Sequence, residues 1–110
     1  MAYDEALAAR VRAALTDRAG VSERRMFGGL ALMQHGNMVC GVVGVRLMLR
    51  LGEAGADAAL GEPHVSAMDF TGRPMASMVY VEPEGIADDR SLAAWLERAL
   101  RFSETLPPKV

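Results

Sequence analysis

The stretch most suited to chemistry runs from Arg24 to Gly29 and reads RRMFGG. Adjacent glycines can present backbone N–H groups to an anion, and the two arginines would add positive charge, so the stretch could cradle a phosphate. A phosphate loop, however, opens a helix and ends in Lys-Ser/Thr, and this stretch does neither. Glycine inside a β pattern instead marks a bulge or the close approach of another backbone. We therefore predict a packing role for Gly28 and Gly29.

Three arginines form a second candidate site. Arg25, Arg50 and Arg73 fall at strand edges and in a turn, with Asp69 nearby in the sequence. If they converge, their forked guanidinium groups could hold a carboxylate or phosphate of a ligand or partner. The alternative is that Arg50 or Arg73 pairs with Asp69 and fixes the turn. The sequence leaves both possibilities open and favours the second, because nothing in it shows that the three groups meet.

The segment VRLMLRL, residues 45–51, gives the third candidate, because apolar residues alternate with another set along it. The predicted core-facing side chains are those of Val45, Leu47, Leu49 and Leu51. The opposite face carries Arg46, Met48 and Arg50, which predicts a mixed surface suited to water or to a partner.

Methionine is abundant, with eight in the chain. Its thioether side chain repacks readily and can form an adaptable binding surface. We nevertheless expect most of them in the core, in particular Met26 or Met33 and one of Met75 and Met78. Met48 is the exception, because its strand places it between two arginines.

Catalytic and metal-binding constellations are not apparent. Cys40 is the only cysteine and lies in an apolar run, which is typical of a small buried residue. His35 and His64 are far apart and have no Cys or carboxylate at ligand spacing. No serine lies in a G-x-S-x-G setting. We expect no catalytic residues, no metal and no cofactor, and the protein is not predicted to be an enzyme.

Periodicity and turn residues predict eight elements in the order α-β-β-β-α-β-β-α. The helices are expected at about 3–18, at Glu53–Leu60, and after Asp88 or Asp89 as the N-cap. The strands are expected at Arg24–Gln34, Asn37–Val43 and Val45–Leu51, and then on either side of the turn at 71–74, with Met78–Glu82 the surer of the last pair.

This order predicts one α+β domain over residues 1–110, with helices on one face of an antiparallel sheet in two layers. The first two strands are apolar on both faces, and no evident helix covers the face that bears Arg46, Met48 and Arg50. A second copy of the protein is the simplest cover, so we predict a homodimer.

Charge and hydropathy bear on partners and location. The net charge of −2 divides into +3 over residues 1–52 and −5 over 53–110. That balance makes nucleic-acid binding unlikely without a further partner, because such affinity comes mainly from Lys and Arg. The apolar runs are too short to span a membrane, and the acidic N-terminus is unlike a signal peptide, so we expect a cytoplasmic protein.

Five segments resemble, in order and spacing, the N-terminal domain of the TfoX/Sxy family. They are MFGGLALM, GNMVCGVV, LMLRLG, MDFTGRPMASMVYVEP, and LAAWLERAL followed by LPPK. The resemblance covers the chain from about Tyr3 to Lys109. It implies a bacterial protein whose α+β fold is similar to the secretion-chaperone-like fold.

The resemblance also implies a regulatory role. Full-length members include regulators of natural competence that carry a second, helical domain, whereas this chain ends at Val110. We expect a stand-alone N-terminal domain that acts through protein–protein contacts with an unknown partner. An anionic-ligand binder or enzyme using the arginines, and a DNA-associated regulator, are the alternatives.

Overall fold

A computed structural model describes residues 3–26, 28–70 and 73–109, and of residues 69–70 and 73–75 only the backbone. Within these residues the chain forms an α+β domain with three α-helices and a six-stranded antiparallel sheet. The helices are α1 (Glu5–Ala14), α2 (Gly52–Ala59) and α3 (Asp89–Ser103). The strands are β1 (Val21–Met26), β2 (Gly29–Gln34), β3 (Asn37–Val43), β4 (Arg46–Arg50), β5 (Val65–Phe70) and β6 (Arg73–Val81). One 3-10 turn, Pro83–Ile86, precedes α3.

The spatial order of the strands is β1-β2-β3-β4-β6-β5, and every pairing is antiparallel. The helices contribute to one hydrophobic cluster together with one face of the sheet. The predicted two-layer α+β class with helices on one face is therefore confirmed.

The strand count needs one correction, because residues 24–34 do not form a single strand. Met26 pairs with Gly29, so the segment divides into the antiparallel neighbours β1 and β2. Gly28 lies between them with a φ of 69°, which favours glycine. Gly29 has the predicted packing role, since a Cβ atom there would lie 2.3 Å from the Val42 carbonyl oxygen.

The side of the sheet that faces the helices holds the main core, which we call the helix-side core. From the sheet it takes Leu30, Leu32, Val39, Cys40, Val42, Leu47, Leu49, Val79 and Val81. Leu7 and Val11 of α1, two alanines of α2 and the apolar stripe of α3 pack against them. The alternation predicted for β4 holds for Leu47 and Leu49, whereas Val45 lies in the preceding turn and is 56% exposed.

A β-bulge in β3 decides which side chains reach this core. Leu32 pairs with Cys40 but the next residue, Met33, pairs with Met38, so Val39 is the extra residue. Val39 and Cys40 consequently both enter the helix-side core, and Met38 packs on the opposite face.

The β2–β3 connection is a two-residue turn, as predicted. His35 and Gly36 have φ values of 51° and 83°, the pattern of a type I′ hairpin turn. The segment after α3 crosses this turn: the backbone N–H of Lys109 donates to the His35 carbonyl oxygen at 2.7 Å, and the Asn37 side chain donates to the Pro107 carbonyl oxygen at 2.9 Å.

Helix α1 is shorter than predicted. Asp4 is its N-cap, with Oδ1 accepting from the Ala6 N–H at 2.9 Å, and the helix ends at Ala14. Arg18, expected within the helix, lies beyond it and forms ion pairs with Glu97 and Glu104. These contacts tie the α1–β1 connection to α3.

Candidate protein-binding face

The sheet face turned away from the helices, which we call the outer face, is rich in methionine. The cross-strand register and the alternation of side chains place Met26, Met33, Met38, Met48, Met68 and Met78 on it. The helix-side core contains no methionine among the residues whose side chains the structure describes. The chain therefore sorts its apolar residues by face.

Part of the outer face is already closed within the monomer. Met48, Met68, Met78 and Tyr80 form a second, smaller cluster made only of strand residues, and each is less than 9% exposed. The structure thus corrects two expectations. Met48 is 1% exposed and not part of an accessible surface, and neither Met26 nor Met33 is a core residue, because both are half-buried on the outer face. Met78, in contrast, is 3% exposed in this cluster, in agreement with the expectation for one of Met75 and Met78.

Gly41 on β3 makes the burial of Met48 possible. A Cβ atom at Gly41 would lie 2.7 Å from the Met48 terminal methyl and 2.9 Å from the Leu30 carbonyl oxygen. The methionine side chain therefore occupies the space that a larger residue at position 41 would fill.

The other part of the outer face is accessible. Met26, Met33, Met38 and Val43 are half-buried on β1, β2 and β3, and Met38 and Val43 also pack against the second cluster. None of the described helices contributes to this cluster. Flexible apolar side chains at this level of exposure form a surface that can adapt to a partner.

Charged groups lie at both ends of the accessible part. On β4, the Arg46 guanidinium stacks on the Tyr80 ring, with Cζ 3.8 Å from the ring centroid, and its Nη1 is 4.0 Å from Glu82 Oε2. Ser66 Oγ donates to the same carboxylate at 3.3 Å. On β1, Arg24 is exposed and shares the side of Ala31, its outer-face partner on β2.

The three arginines of the predicted anion site occupy separate places. Arg25 is exposed on β1 and shares the side of Leu30, which faces the helices. Arg50 lies three strands away on β4, and its Cζ is 5.6 Å from the Phe102 ring centroid of α3. The structure does not bring these two together. The side chains of Arg73 and Asp69 lie outside the described residues.

Cys40 and the two histidines lie in places typical of structural residues, and not of catalytic or metal-binding ones. Complete burial raises the pKa of the Cys40 thiol to about 12, so the thiolate is not formed near neutral pH. His35 and His64 both have positive φ values in turns, and His35 is exposed. Within the described part of the chain, no three His, Cys, Asp or Glu residues are grouped so that they could hold a metal ion.

A groove of about 500 Å³ lies between α1 and α3. Its walls are mainly alanine side chains, including Ala9, Ala13 and Ala93. The polar groups in it are engaged, because Arg10 donates to Asp89 Oδ1 at 3.0 Å and to the Ile86 carbonyl oxygen at 2.7 Å. The groove therefore carries less binding chemistry than the outer face.

Comparison with known protein families gives a match over most of the chain. Residues 13–103 match the family described as the TfoX N-terminal domain. The chain belongs to this family. No curated protein and no solved structure matches it. The TfoX N-terminal domain is associated with competence and regulatory roles, and the matched residues contain the whole of the sheet and of α3.

Sequence reasoning missed three features of the outer face of this TfoX N-terminal domain. Met26, Met33 and Met38 were not assigned to it, although all three fall on strands. Arg24 and Glu82 were not singled out. The available signal was the absence of methionine from the positions of β4 that share the face of Leu47 and Leu49, whereas Met48 lies between them on the opposite face, and this difference could have divided the two faces.

Proposed function

We propose that this TfoX N-terminal domain is a small regulatory binding module of the bacterial cytoplasm that acts through protein–protein contacts made by its outer face. We also propose that it is a homodimer. By its family, the regulated process is competence or transcription. The observation that carries the proposal is the concentration of methionine on a sheet face to which no described helix packs.

The half-buried residues support a protein partner. Met33, Met38 and Val43 offer apolar area that association would remove from water, and each Å² of such area contributes roughly 25 cal/mol. Arg46 and Tyr80 lie beside them, and arginine and tyrosine are enriched where protein interfaces are strongest.

Charge favours a protein over nucleic acid as the partner. The chain has a net charge of −2, and Glu82 accompanies Arg46 on the outer face. A phosphate backbone would meet the carboxylate as well as the arginine, so contact with DNA would need a further protein.

Membrane insertion is not part of the proposal. In the part of the chain that the structure describes, no helix combines the length and the apolar character needed to cross a bilayer.

Methionine oxidation footprinting tests the proposal. Hydrogen peroxide oxidises an accessible thioether to the sulfoxide and is itself reduced to water. We expect Met33 and Met38 to oxidise quickly in dilute protein and to be protected in concentrated protein or in a cell extract. Met48 and Met68 should stay slow throughout, because they are at most 1% exposed.

A methionine-containing reference peptide in each sample corrects for peroxide consumed by other molecules. Protection in concentrated pure protein would identify self-association, and protection only in the extract would identify another partner. If Met33 and Met38 oxidise at the same corrected rate in all conditions, nothing binds the outer face and the proposal is wrong.

A further inference from the structure

We infer that the partner on the outer face is a second copy of the chain, held so that Arg24 of each copy pairs with Glu82 of the other. This inference rests on the proposed binding role of the outer face. It adds that the outer face is the interface of the proposed homodimer, together with the direction of the symmetry axis and the residues that set it.

The outer face carries opposite charges at its two ends. Arg24 lies on the edge strand β1, and within the described residues no carboxylate comes within 4.0 Å of it. Glu82 follows β6 directly, and its contacts with Arg46 and Ser66 place its carboxylate on the same face. The Glu82 side chain is 38% exposed, so it can accept a further donor.

Strand order makes these charges self-complementary. Four strand spacings of about 4.8 Å separate β1 from β6, or about 19 Å in total. The strand midway between them is β3. Arg24 is level with Tyr80 through the paired residues Ala31, Gly41 and Met48, and Glu82 lies two residues, about 7 Å, beyond Tyr80. A two-fold axis running along β3 between two stacked sheets therefore places Arg24 of each copy over Tyr80 of the other, from where its long side chain can extend to Glu82. In such an interface each contact occurs twice.

The same axis brings the accessible apolar residues together. Met38 and Val43 lie on β3, next to the axis, and meet their counterparts in the second copy. Met33 on β2 lies over β4 of the second copy, level with Arg50 and about 7 Å along the strand from Met48. Sheets stacked with nearly aligned strands are about 10 Å apart, a distance that two layers of these side chains fill.

The other simple orientation is unfavourable. A two-fold axis running across the strands would place β1 over β1 and β6 over β6. The Arg24 side chains of the two copies would then approach each other, as would the Glu82 side chains, and like charges at an interface are repulsive. Charge therefore selects the axis along β3.

Reversing each charge separately tests the pairing. Arg24→Glu alone brings two carboxylates together at both contacts of the dimer, and Glu82→Arg alone brings two guanidinium groups together at both. Each variant should dimerise about 30-fold more weakly than the unchanged protein, from two charge pairs of about 1 kcal/mol each. Mixing the two variants restores attraction at both contacts, because one contact is the unchanged Arg24–Glu82 pair and the other is the same pair with its charges exchanged. The mixture should therefore dimerise more tightly than either variant alone, and the double variant repeats this test within one chain.

The double variant, Arg24→Glu with Glu82→Arg, exchanges the two charges within one chain. Both contacts of its dimer are again between a carboxylate and a guanidinium group, so it should recover most of the affinity that each single reversal loses. Sedimentation equilibrium measures the dissociation constant of the dimer for the unchanged protein, the two single variants and the double variant. Recovery in the double variant is the result that a general loss of stability would not give.

Arg25→Glu is the matched control. It makes the same change of charge on the same strand, but Arg25 shares the side of Leu30, which faces the helices. Its dimer should be within about threefold of the unchanged one, a difference of less than about 1 kcal/mol. If a charge reversal prevents folding, Arg24→Gln and Glu82→Gln replace it in the same measurement. Each of these neutral variants should weaken the dimer by a smaller factor than the corresponding reversal.

The outcomes separate the pairing from the binding face itself. If the unchanged protein dimerises and Arg24→Glu dimerises as well as Arg25→Glu, the pairing is wrong, while the proposed function stands. A protein that stays monomeric while Met33 and Met38 are protected in cell extract refutes the homodimer in both proposals and leaves the binding of another protein by the outer face standing. Absence of protection in every condition refutes the proposed function as well.

Discussion

The two faces of this sheet are apolar in different ways. Leucine and valine from the strands fill the helix-side core, where they pack against fixed helices. On the outer face, strand residues alone form the buried cluster, and three of its four members are methionines. Branched side chains have few rotamers and fit one permanent neighbour, whereas methionine adapts to several. The proposal that one face serves folding and the other serves recognition rests on this difference.

Neighbouring residues on the bulged strand give the largest test of this comparison. Val39 is 1% exposed in the helix-side core, and Met38 is half-buried on the outer face. Val39→Glu buries a carboxylate without a partner and should lower the free energy of unfolding by at least about 3 kcal/mol. Met38→Glu should cost the monomer less than about 1 kcal/mol, and urea denaturation of dilute protein measures both. Equal losses would show that the faces do not differ.

Gly41 tests how tightly the buried part of the outer face is packed. Gly41→Ala places a methyl group against the Met48 side chain and the Leu30 carbonyl oxygen. Overpacking of this kind should reduce stability by about 1–3 kcal/mol. Gly61→Ala is the control, because the nearest atom to its new Cβ is at 3.6 Å, an ordinary contact. Similar thermal unfolding temperatures for the two variants would mean that the cluster around Met48 is loose.

The smallest expected effect concerns an ion pair that fastens α1 to β1 on the helix side. Arg12 Nε and Nη2 donate to the two Glu23 carboxylate oxygens at 2.7 and 3.0 Å. These hydrogen bonds hold the pKa of the Glu23 carboxyl below its usual value. The side chains are 40% and 39% exposed, so the pair should contribute at most about 1 kcal/mol.

The sign of the pH effect follows from the lowered pKa. Unfolded Glu23 takes up a proton near its usual pKa of about 4.3, before the folded carboxyl does. The stability from the pair is therefore complete above that pH and is lost as the pH falls through the folded pKa. Glu23→Gln should be less stable than the unchanged protein at pH 7, and the difference should shrink as the pH falls below about 4. A stability difference that does not shrink in acid would contradict this account.

The sequence alone predicted helices and strands correctly where a periodic pattern of apolar residues fitted only one kind of element. Leu47 and Leu49 alternate with other residues and lie in the core as predicted, and α3 begins after Asp88, one of the two predicted N-cap residues. The predicted strand bounds also located both turns that flank β3, where Gly36 and Gly44 have positive φ values.

The division of the methionines between the faces could not be predicted by the same means. Where both faces of a strand are apolar, alternation does not say which face the helices cover. The bulge at Val39 then reverses the alternation within β3, and its position depends on pairing with β2. The separate positions of Arg25 and Arg50 likewise depend on strand order, which local sequence does not contain.

The exposed edge of β1 affects the size that any assembly can reach. Ser22, Glu23, Arg24 and Arg25 are all exposed along this strand at the border of the sheet. Successive charged side chains discourage another sheet from adding to such a border by backbone hydrogen bonds, the route by which open sheets grow into fibrils. The proposed association through the outer face would cover the accessible methionines and leave this border without a further partner, so the proposed assembly would stop at two chains.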